Sequence, residues 1–457
     1  MHPTTAPTLS RRLLHRCMAL TVLCASTAIA ATPEKQELKI GFIKLTDCAP
    51  LVVAYEKGFF ESEGLYVTLE AQANWKVVLD RVVDGSLDAS HMLPGQPLGA
   101  AAGIGNPAEL VGVAVMGINT LAVTVGNDVW SALKPTLPVV DGRPVHPIAA
   151  SSLKPVIENI KAGGKQFAMG MVFPTSTHNY LLRYWLAAGG INPGFYTAGD
   201  NTGTTDGDVL LSVTPPPQMP ATLGAGTIAG YSVGEPWNQQ AVMKGIGVPV
   251  ITAAEIWSRT PEKMLGLRRD FAEKNPETVK ALIKAVIRAE QWLDADKGAN
   301  RAELVKILSR PEYVGADAAV LAGPLSGKYQ YEKGDVRATP EANVYFADQA
   351  GYPFYGDAVW YLTQMRRWGQ VPKDQPDSWY EQTAKKVYRA DLYRAAAQEL
   401  IAAGSVDTSV LPAADAAVAG PSKFIDGVVF DATQPNAYLA KLAIGQQGQQ
   451  GQQGAAK

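Results

Sequence analysis

Apolar and polar positions along residues 37–126 follow a pattern that predicts strands separated by helices. The apolar runs of strand length are residues 38–43, 65–69, 111–115 and 122–125. Between the second and third runs, residues 75–83 have their apolar positions at helical spacing, and Gly85 follows them. Strands that alternate with helices are typical of a largely parallel sheet, so this part of the chain predicts an α/β fold.

A second α/β block is predicted from residue 127 to residue 234. Its clearest helix begins at Thr175-Ser176-Thr177, whose hydroxyls can cap free N–H groups, and ends at Gly189-Gly190. Residues 197–208 are rich in Gly, Thr and Asp, which predicts a surface loop. Beyond residue 234 the pattern becomes mainly helical, with Asn275-Pro276 as the start of a long helix.

The first thirty residues have the pattern of a cleavable signal peptide. Arg11, Arg12 and Arg16 precede an uncharged apolar run that closes on Ala28-Ile29-Ala30, so the mature chain is expected to begin near Ala31. Residues 10–16 also resemble a twin-arginine signal. The alternative is a short N-terminal helix of the fold itself.

Charge and cysteine content limit the class of partner. Removing residues 1–30, which carry three Arg and no Asp or Glu, changes the formal charge from −2 to −5. A mildly acidic chain is a poor candidate for binding nucleic acid or an anionic membrane, although one local cation can still hold a small anion. Cys48 alone remains after residue 30, which excludes an internal disulfide, and no later apolar run is long enough to cross a membrane.

Motifs for catalysis, metals or cofactors are absent from the sequence. His91, His146 and His178 lie far apart and lack the clustered partners of a zinc site, and there is no P-loop, GxSxG or HExxH pattern. Residues 99–105 (GAAAGIG) lack the spacing of a dinucleotide fingerprint, so close helix packing is the better interpretation. We therefore expect no enzyme activity, no cofactor and no metal.

Two predicted helix starts have the character of anion sites. Thr260-Pro261-Glu262-Lys263 places a lysine where the helix dipole disfavours a cation, which would be explained by an anion between the lysine and the N–H groups. A solvent-facing lysine is the alternative. The second start, residues 175–178, brings hydroxyls, N–H groups and the His178 imidazole together, but it could equally be a plain cap.

The two predicted helix starts belong to a set of sequence stretches by which the chain resembles the nitrate- and bicarbonate-binding proteins of ABC importers. The resemblance covers roughly residues 37–330. The matching stretches are NWKVVLDRVVDGSLDASHM, THNYLLRYWLAAGGINPG, TPPPQM, YSVGEPWNQQ, IWSRTPEKMLGL, AEKNPETVKALIKAVIRAEQWLD, YVG and GKYQY. Each stretch is weak alone, whereas their order and spacing together are specific.

The resemblance implies a two-lobed periplasmic binding protein, type II-like, with a ligand cleft between the lobes. It implies that the chain delivers its ligand to a membrane permease and its ATPase. The implied division is 1–30 signal peptide, 37–126 first part of lobe 1, 127–234 lobe 2, 235–330 second part of lobe 1, 331–440 helical C-terminal extension, and 441–457 low-complexity tail.

The resemblance also implies a set of ligand-binding residues for nitrate. The matching positions are Trp75, His178, Gly234 and Lys263, with Thr177 beside His178. If Lys263 is the charge partner of the anion on a helix start, Lys263→Ala should weaken nitrate binding without destabilising the fold.

One position departs from the family pattern. Leu121 stands where many nitrate binders have a glutamine, so a donor is missing, and Asn119 is a candidate to replace it. Lys263 still favours nitrate, because bicarbonate binders of this family tend to have a carboxylate there and to recruit a metal. One alternative is that the ligand is another small anion, namely nitrite, cyanate, a sulfonate or bicarbonate. A second is a nitrate-sensing regulatory protein, which the signal segment disfavours. A third is a thiamine-precursor synthase, which the single mature cysteine disfavours.

Overall fold

The computed structural model describes residues 32–198, 200–414, 416–420 and 422–445. The predicted signal peptide and the residues of the predicted tail from 446 onward lie outside these ranges.

The strands of the described residues, in chain order, are β1 Glu37–Phe42, β2 Tyr66–Ala71, β3 Ala89–Met92, β4 Leu110–Val115, β5 Leu121–Gly126, β6 Val139–Val140, β7 Arg143–Pro144, β8 Ala168–Met171, β9 Phe195–Thr197, β10 Asp200–Thr205, β11 Leu210–Val213, β12 Gly230–Gly234, β13 Gly247–Thr252, β14 Met264–Arg268, β15 Lys328–Glu332 and β16 Asp335–Ala338.

The α-helices are α1 Ala49–Glu56, α2 Phe59–Ser62, α3 Trp75–Val83, α4 Gly95–Ala101, α5 Asn127–Leu133, α6 Lys154–Ala162, α7 Thr177–Ala188, α8 Met219–Gly224, α9 Trp237–Met243, α10 Ala253–Ile256, α11 Arg269–Lys274, α12 Pro276–Asp294, α13 Arg301–Leu308, α14 Ala318–Leu325, α15 Tyr355–Arg367, α16 Asp377–Val387, α17 Ala390–Ala402 and α18 Pro435–Ala440.

Two five-stranded sheets form the centres of two lobes. Lobe 1 has the strand order β2-β1-β3-β14-β4, and lobe 2 has the order β11-β8-β12-β5-β13. Strands β4, β5, β12 and β13 are buried along their whole length, as expected for strands covered on both faces, although β4 and β13 lie at the edges of their sheets.

The prediction of largely parallel sheets is only half right. In lobe 1, β1 pairs in parallel with β2 and β3, but β14 is antiparallel to both β3 and β4. In lobe 2, β8 is parallel to β11 and β12, while β5 is antiparallel to β12 and β13. The antiparallel strand of each sheet, β14 in lobe 1 and β5 in lobe 2, comes directly after a segment that crosses between the lobes. The crossing sets the direction of that strand.

The chain crosses between the lobes at residues 116–120 and again at 253–263, between the strands of the two sheets. These crossings differ from the lobe boundaries implied by the resemblance, at 126 and 234. Because β5 and β13 are apolar and strand-like, their local sequence does not distinguish which sheet they join.

Two further local expectations are changed by tertiary pairing. Part of the segment predicted as a surface loop, 197–208, forms β10, which pairs with β9 in an antiparallel hairpin. The C-terminal extension begins with the hairpin β15–β16 before it becomes helical in α15 to α18.

Lobe 1 and lobe 2 touch directly at the glycine-rich helix α4. A Cβ at Gly95 would lie only 1.7 Å from the Thr175 carbonyl oxygen, and one at Gly99 would lie 3.1 Å from Thr175 Cγ2. The glycines therefore allow α4 to approach the start of α7, as the packing interpretation of this motif predicts. None of the helices in the described ranges has the length and apolar character needed to span a membrane.

Candidate ligand-binding site

Both crossover segments converge with elements of the two lobes at one buried cluster. Lobe 1 contributes Asp47 from the 3₁₀ turn after β1, Trp75 from the first turn of α3, and His91 from β3. Lobe 2 contributes His178 from α7 and Gly234 from the end of β12. The crossovers contribute Thr120, Glu262 and Lys263.

Lys263 lies in an extended segment that enters β14, so the predicted helix start at residues 260–263 is wrong. Strand β14 pairs with β3 and β4 on both sides, and this pairing overrides the local capping pattern. Its ammonium is fully buried, lies 2.6 Å from Asp47 Oδ2, and sits 5.7 Å from the centre of the Trp75 ring. The cation is therefore positioned by a carboxylate and an aromatic face, not by a helix dipole.

This ion pair also corrects the expected effect of Lys263→Ala on stability. Asp47 and Lys263 both have fully buried side chains. Removing one partner of a buried pair leaves an uncompensated charge, which typically costs about 3–5 kcal/mol. Lys263→Ala is therefore expected to destabilise the fold as well as to remove the cation.

Asp47 faces three protein groups. Its Oδ2 accepts from Lys263 and from the Thr120 hydroxyl at 3.0 Å, and its Oδ1 lies 2.9 Å from His91 Nε2 without the alignment of a hydrogen bond. Burial alone would raise the pKa of Asp47, but Lys263 and His91 overcome this effect and lower it below its ordinary value. Asp47 is therefore an ionised counterion of Lys263.

His91 lies beside Asp47. Its Nδ1 accepts from the Ile43 N–H at 3.4 Å, which places the proton on Nε2, and this nitrogen lies 2.9 Å from Asp47 Oδ1 without the alignment of a hydrogen bond. Burial lowers the pKa of His91, although Asp47 partly opposes this. We infer that His91 is a neutral imidazole that orients the carboxylate.

Glu262 forms the next layer around the ion pair. Its Oε1 accepts from the backbone N–H groups of Thr120 and Leu121 at 2.6 and 2.9 Å, and its Oε2 lies 2.6 Å from the Thr120 hydroxyl. Burial raises the pKa of Glu262 to about 7. The Thr120 hydroxyl has one proton, which it donates to Asp47. A protonated Glu262 can then donate to the Thr120 oxygen, so each of the two contacts of Thr120 contains one proton.

Several buried polar atoms near this cluster have no protein partner. They include Trp75 Nε1, both ring nitrogens of His178, and the Ser232 hydroxyl, which lies on the same face of β12 as Gly234. Asp47 Oδ1 and His91 Nε2 also lack an aligned hydrogen bond, although they lie 2.9 Å from each other. Buried polar groups are nearly always hydrogen-bonded in native proteins, so unpaired donors gathered beside a cation indicate where a polar ligand is held. His178 is fully buried, and burial followed by Lys263 lowers its pKa well below the ordinary value.

Gly234 leaves space at the centre of these groups. A Cβ at this position would lie 3.1 Å from Leu45 Cδ2, 3.6 Å from Asp47 Oδ2 and 3.7 Å from His178 Nε2. Because a side chain would occupy the volume that these atoms face, the absence of one is a requirement of the site.

Leu121 lies directly opposite Gly234 in the antiparallel β5–β12 pair. Residues in such a pair project from the same face of the sheet, so Leu121 is adjacent to the Gly234 space and forms an apolar wall there. Asn119, the candidate replacement donor, is used elsewhere. Its Nδ2 donates to the Ser258 and Glu341 carbonyls, and its Oδ1 accepts from the Thr260 N–H. Both amide protons are thus engaged, which argues against Asn119 as a ligand donor.

Thr177 is turned toward the C-terminal extension. Its hydroxyl lies 2.6 Å from that of Tyr361 and 3.5 Å from the Glu262 carbonyl oxygen. The residue therefore links structural elements next to the cluster, and its predicted role as a ligand has no support in these contacts.

The structure brings Trp75, His178, Gly234 and Lys263 together, and their role in holding a ligand stays a prediction. Sequence reasoning missed Asp47, His91, Thr120, Glu262 and Ser232. The available signals were the polar pair Thr46-Asp47, four residues after the end of β1, and single polar residues within otherwise apolar strands. Such signals are weak because the contacts they form are distant in sequence.

The chemistry of the cluster suits an anion. It offers one buried ammonium and several unpaired N–H or O–H groups, which are the groups an oxyanion requires. In the part of the chain that the structure describes, no three His, Cys, Asp or Glu side chains are grouped so as to hold a metal ion.

Comparison with known proteins shows the family and the fold to which this chain is similar. Residues 31–309 match the model of the NMT1-like family. Nitrate/nitrite binding protein NrtA of Nostoc sp. is 35% identical over 92% of this chain and 88% of its own length. Bicarbonate-binding protein CmpA of Synechococcus elongatus is 28% identical over 92% of this chain and 89% of its own. The crystal structure of the periplasmic nitrate-binding protein NrtA from Synechocystis PCC 6803 has a TM-score of 0.79 at 32% identity, covering 91% of this chain and all of that one. These similarities confirm both the sequence resemblance and the two-lobed α/β binding-protein fold.

Proposed function

This chain belongs to the NMT1-like family, and we propose that it is the solute-binding component of an ABC importer that captures nitrate. A related small oxyanion, such as nitrite, is the nearest alternative. The relatives named for nitrate/nitrite binding, which span most of this chain, support the proposal.

The observation that carries the proposal is the set of unpaired donors around a buried cation. Trp75 Nε1 and the His178 nitrogens lack partners, and Lys263 lies against the same Trp75 ring. A planar monoanion without a proton can accept hydrogen bonds on every oxygen, so it would accept from the Trp75 N–H, from the one N–H of a neutral His178 and from the Lys263 ammonium.

Asp47 already neutralises Lys263 without a ligand. Its Oδ2 accepts from the Lys263 ammonium and from the Thr120 hydroxyl, and its Oδ1 lies 2.9 Å from His91 Nε2. A bound anion therefore meets a cation whose charge is already balanced, and the groups left for its oxygens are the unpaired N–H donors and the remaining protons of the ammonium.

The partners follow from this function. A binding protein of an importer delivers its ligand to a membrane permease driven by an ATPase. We place the chain in the periplasm, exported through residues 1–30, because this segment has the signal pattern and the structural relative is described as periplasmic.

Titration calorimetry of the mature chain with nitrate, nitrite, bicarbonate and sulfate tests the proposal. We expect nitrate to bind with one site per chain and more tightly than bicarbonate or sulfate. Gly234→Ala should abolish this binding with a small effect on the fold, because its methyl group occupies the space beside His178. Gly224→Ala is the matched control, because a Cβ there meets only ordinary contacts, and this variant should bind nitrate normally. Gly245 is less suitable as a control position, because its positive φ would strain any side chain. Tighter binding of bicarbonate than nitrate would overturn the assignment.

A further inference from the structure

We propose that the C-terminal extension takes part in ligand retention through Tyr361, which ties the His178 helix to the segment that carries Lys263. The inference rests on the proposed anion site and assigns a positioning residue to it. The hydrogen bonds of Tyr361 go to Thr177 and Pro261, the neighbours of His178 and Lys263, so it acts through these residues.

The hydroxyl of Tyr361 lies between two elements that belong to different parts of the fold. It hydrogen-bonds to the Pro261 carbonyl oxygen, and it lies 2.6 Å from the hydroxyl of Thr177. Pro261 is two residues before Lys263 in the second crossover, and Thr177 immediately precedes His178 at the start of α7. One buried hydroxyl therefore spans the neighbours of two candidate ligand residues.

The direction of these hydrogen bonds is fixed by the proton count. A carbonyl oxygen can only accept, so Tyr361 donates its single proton to Pro261. The Thr177 hydroxyl must then donate to the Tyr361 oxygen. The result is a continuous chain from Thr177 through Tyr361 to Pro261, in which each bond polarises the next.

Helix α15, which carries Tyr361, lies across both lobes. It packs against α4 of lobe 1 and α7 of lobe 2. Just beyond the helix, Gln370 accepts from the Tyr180 hydroxyl at 2.6 Å and donates to the Pro174 carbonyl at 3.2 Å. The extension therefore holds the start of α7 at two points.

Release of a ligand from between two lobes requires them to separate. Separation that moves α7 away from the second crossover must break the Thr177–Tyr361–Pro261 chain. The tie is therefore expected to slow ligand release, while leaving the capture of ligand by the open form unchanged.

Stopped-flow measurement of nitrate binding to Tyr361→Phe, followed by tryptophan fluorescence, tests this role. We expect dissociation to accelerate by about three- to tenfold, the kinetic equivalent of one or two lost hydrogen bonds, with the association rate within about twofold of the wild type. Tyr184→Phe is the matched control. Tyr184 donates to Asp426 of the same extension at 2.9 Å but lies two turns further along α7, and its loss should leave both rates unchanged.

Equal dissociation rates in the wild type and Tyr361→Phe would overturn the inference. Equal acceleration in Tyr361→Phe and Tyr184→Phe would also overturn it, because it would indicate general loosening of the extension.

Amide hydrogen exchange without nitrate provides a second test. Tyr361→Phe should exchange faster at residues 177–180 and 262–264, and unchanged exchange there would contradict the tie. The exchange experiment needs no ligand, so it tests the tie separately from the proposed function. If the wild type failed to bind nitrate, the proposed function would be overturned, and the exchange rates would still decide whether Tyr361 holds the two segments together.

Discussion

Lys263 Nζ lies 2.6 Å from Asp47 Oδ2, and neither side chain is exposed. The candidate anion site therefore contains a neutral ion pair before any ligand arrives. An incoming anion shares the ammonium with a carboxylate that is already bound to it, so the affinity depends on Asp47 as much as on Lys263.

Asp47→Asn is predicted to tighten nitrate binding and to destabilise the ligand-free protein. Without the carboxylate, the buried ammonium has no counterion until nitrate arrives, and an uncompensated buried charge costs about 3–5 kcal/mol. Nitrate should consequently raise the melting temperature of this variant more than that of the wild type. Asp270→Asn, which removes an exposed carboxylate paired with Arg268 and Lys274, should change neither quantity. Weaker nitrate binding in Asp47→Asn would contradict the counterion role.

Nitrate binding is predicted to weaken as the pH rises from the lowered pKa of His178 in the free protein toward its higher pKa in the complex. Asp47 and Lys263 cancel each other, so bound nitrate adds a net negative charge, and the imidazole of His178 is the group with unpaired nitrogens that can gain a proton. The groups that face His178 are Lys263 and His91, which lower its pKa after burial, and Asp47, which raises it. An anion raises that pKa, so binding takes up protons, and affinity falls with increasing pH by at most tenfold per unit.

Calorimetry in buffers with different ionisation enthalpies measures this proton uptake directly. Because Glu262 titrates near pH 7 in the same cluster, the experiment should be repeated in Glu262→Gln. His178→Gln should bind nitrate weakly and without pH dependence, whereas His146→Gln, beside Glu255, should retain the wild-type profile. An affinity independent of pH in the wild type would rule out protonation of His178.

Glu262→Gln is predicted to stabilise the protein at alkaline pH relative to the wild type. The pKa of Glu262 is about 7 in the fold and about 4.5 in an unfolded chain, so the folded state retains a proton that the unfolded state loses between these values. This contribution to the free energy of unfolding is present below pH 4.5 and is lost as the pH rises to 7, by up to about 3 kcal/mol. Glutamine keeps the same hydrogen bonds and does not titrate.

Urea unfolding at pH 5 and pH 8 checks this prediction. The advantage of Glu262→Gln should increase from pH 5 to pH 8. Glu235, whose pKa is also raised to about 7 by burial, is unchanged in both proteins and cancels in the difference. A constant difference between the two proteins would show that Glu262 is already ionised in the fold.

Leu121→Gln is predicted to tighten nitrate binding by about 0.5–1.5 kcal/mol, the usual net value of one hydrogen bond. Leu121 projects from the same face as Gly234 at the paired position, so an amide there can reach the ligand space. The same change removes a buried apolar side chain and should lower the melting temperature without ligand. Isothermal titration separates the two effects, and weaker binding would indicate that this wall has been repacked for a different anion.

Much of the fold could be predicted from the sequence, because strands and helices with strong local patterns form where expected. Helix α7 begins after Ser176, whose hydroxyl accepts from the Asn179 N–H, and α12 begins at Pro276. The failures arise where distant pairing decides the structure. Residues 260–263 have a good capping pattern, yet they form the extended segment that leads into β14, which pairs with two strands more than 140 residues earlier in the chain.

The site shows the same division. The resemblance identified Trp75, His178, Gly234 and Lys263, which the fold gathers into one cluster. It did not reveal that Lys263 is paired with Asp47, a residue 216 positions away, or that His91 orients that carboxylate. Neither relationship has a local signature, since each exists only after β1, β3 and the second crossover have been brought together.

The central claim, that Lys263 supplies the charge that holds the anion, is tested most directly by nitrate titration of the Asp47→Asn, Lys263→Met double variant. Replacing both partners removes the cation without leaving a buried charge unpaired, so the fold should persist with a similar melting temperature. A hydrogen bond to a charged group contributes roughly 1.5–3 kcal/mol, so we predict that nitrate binds about ten- to a hundredfold more weakly than to the wild type. Wild-type affinity in a folded double variant would contradict the account, because it would place the anion away from Lys263.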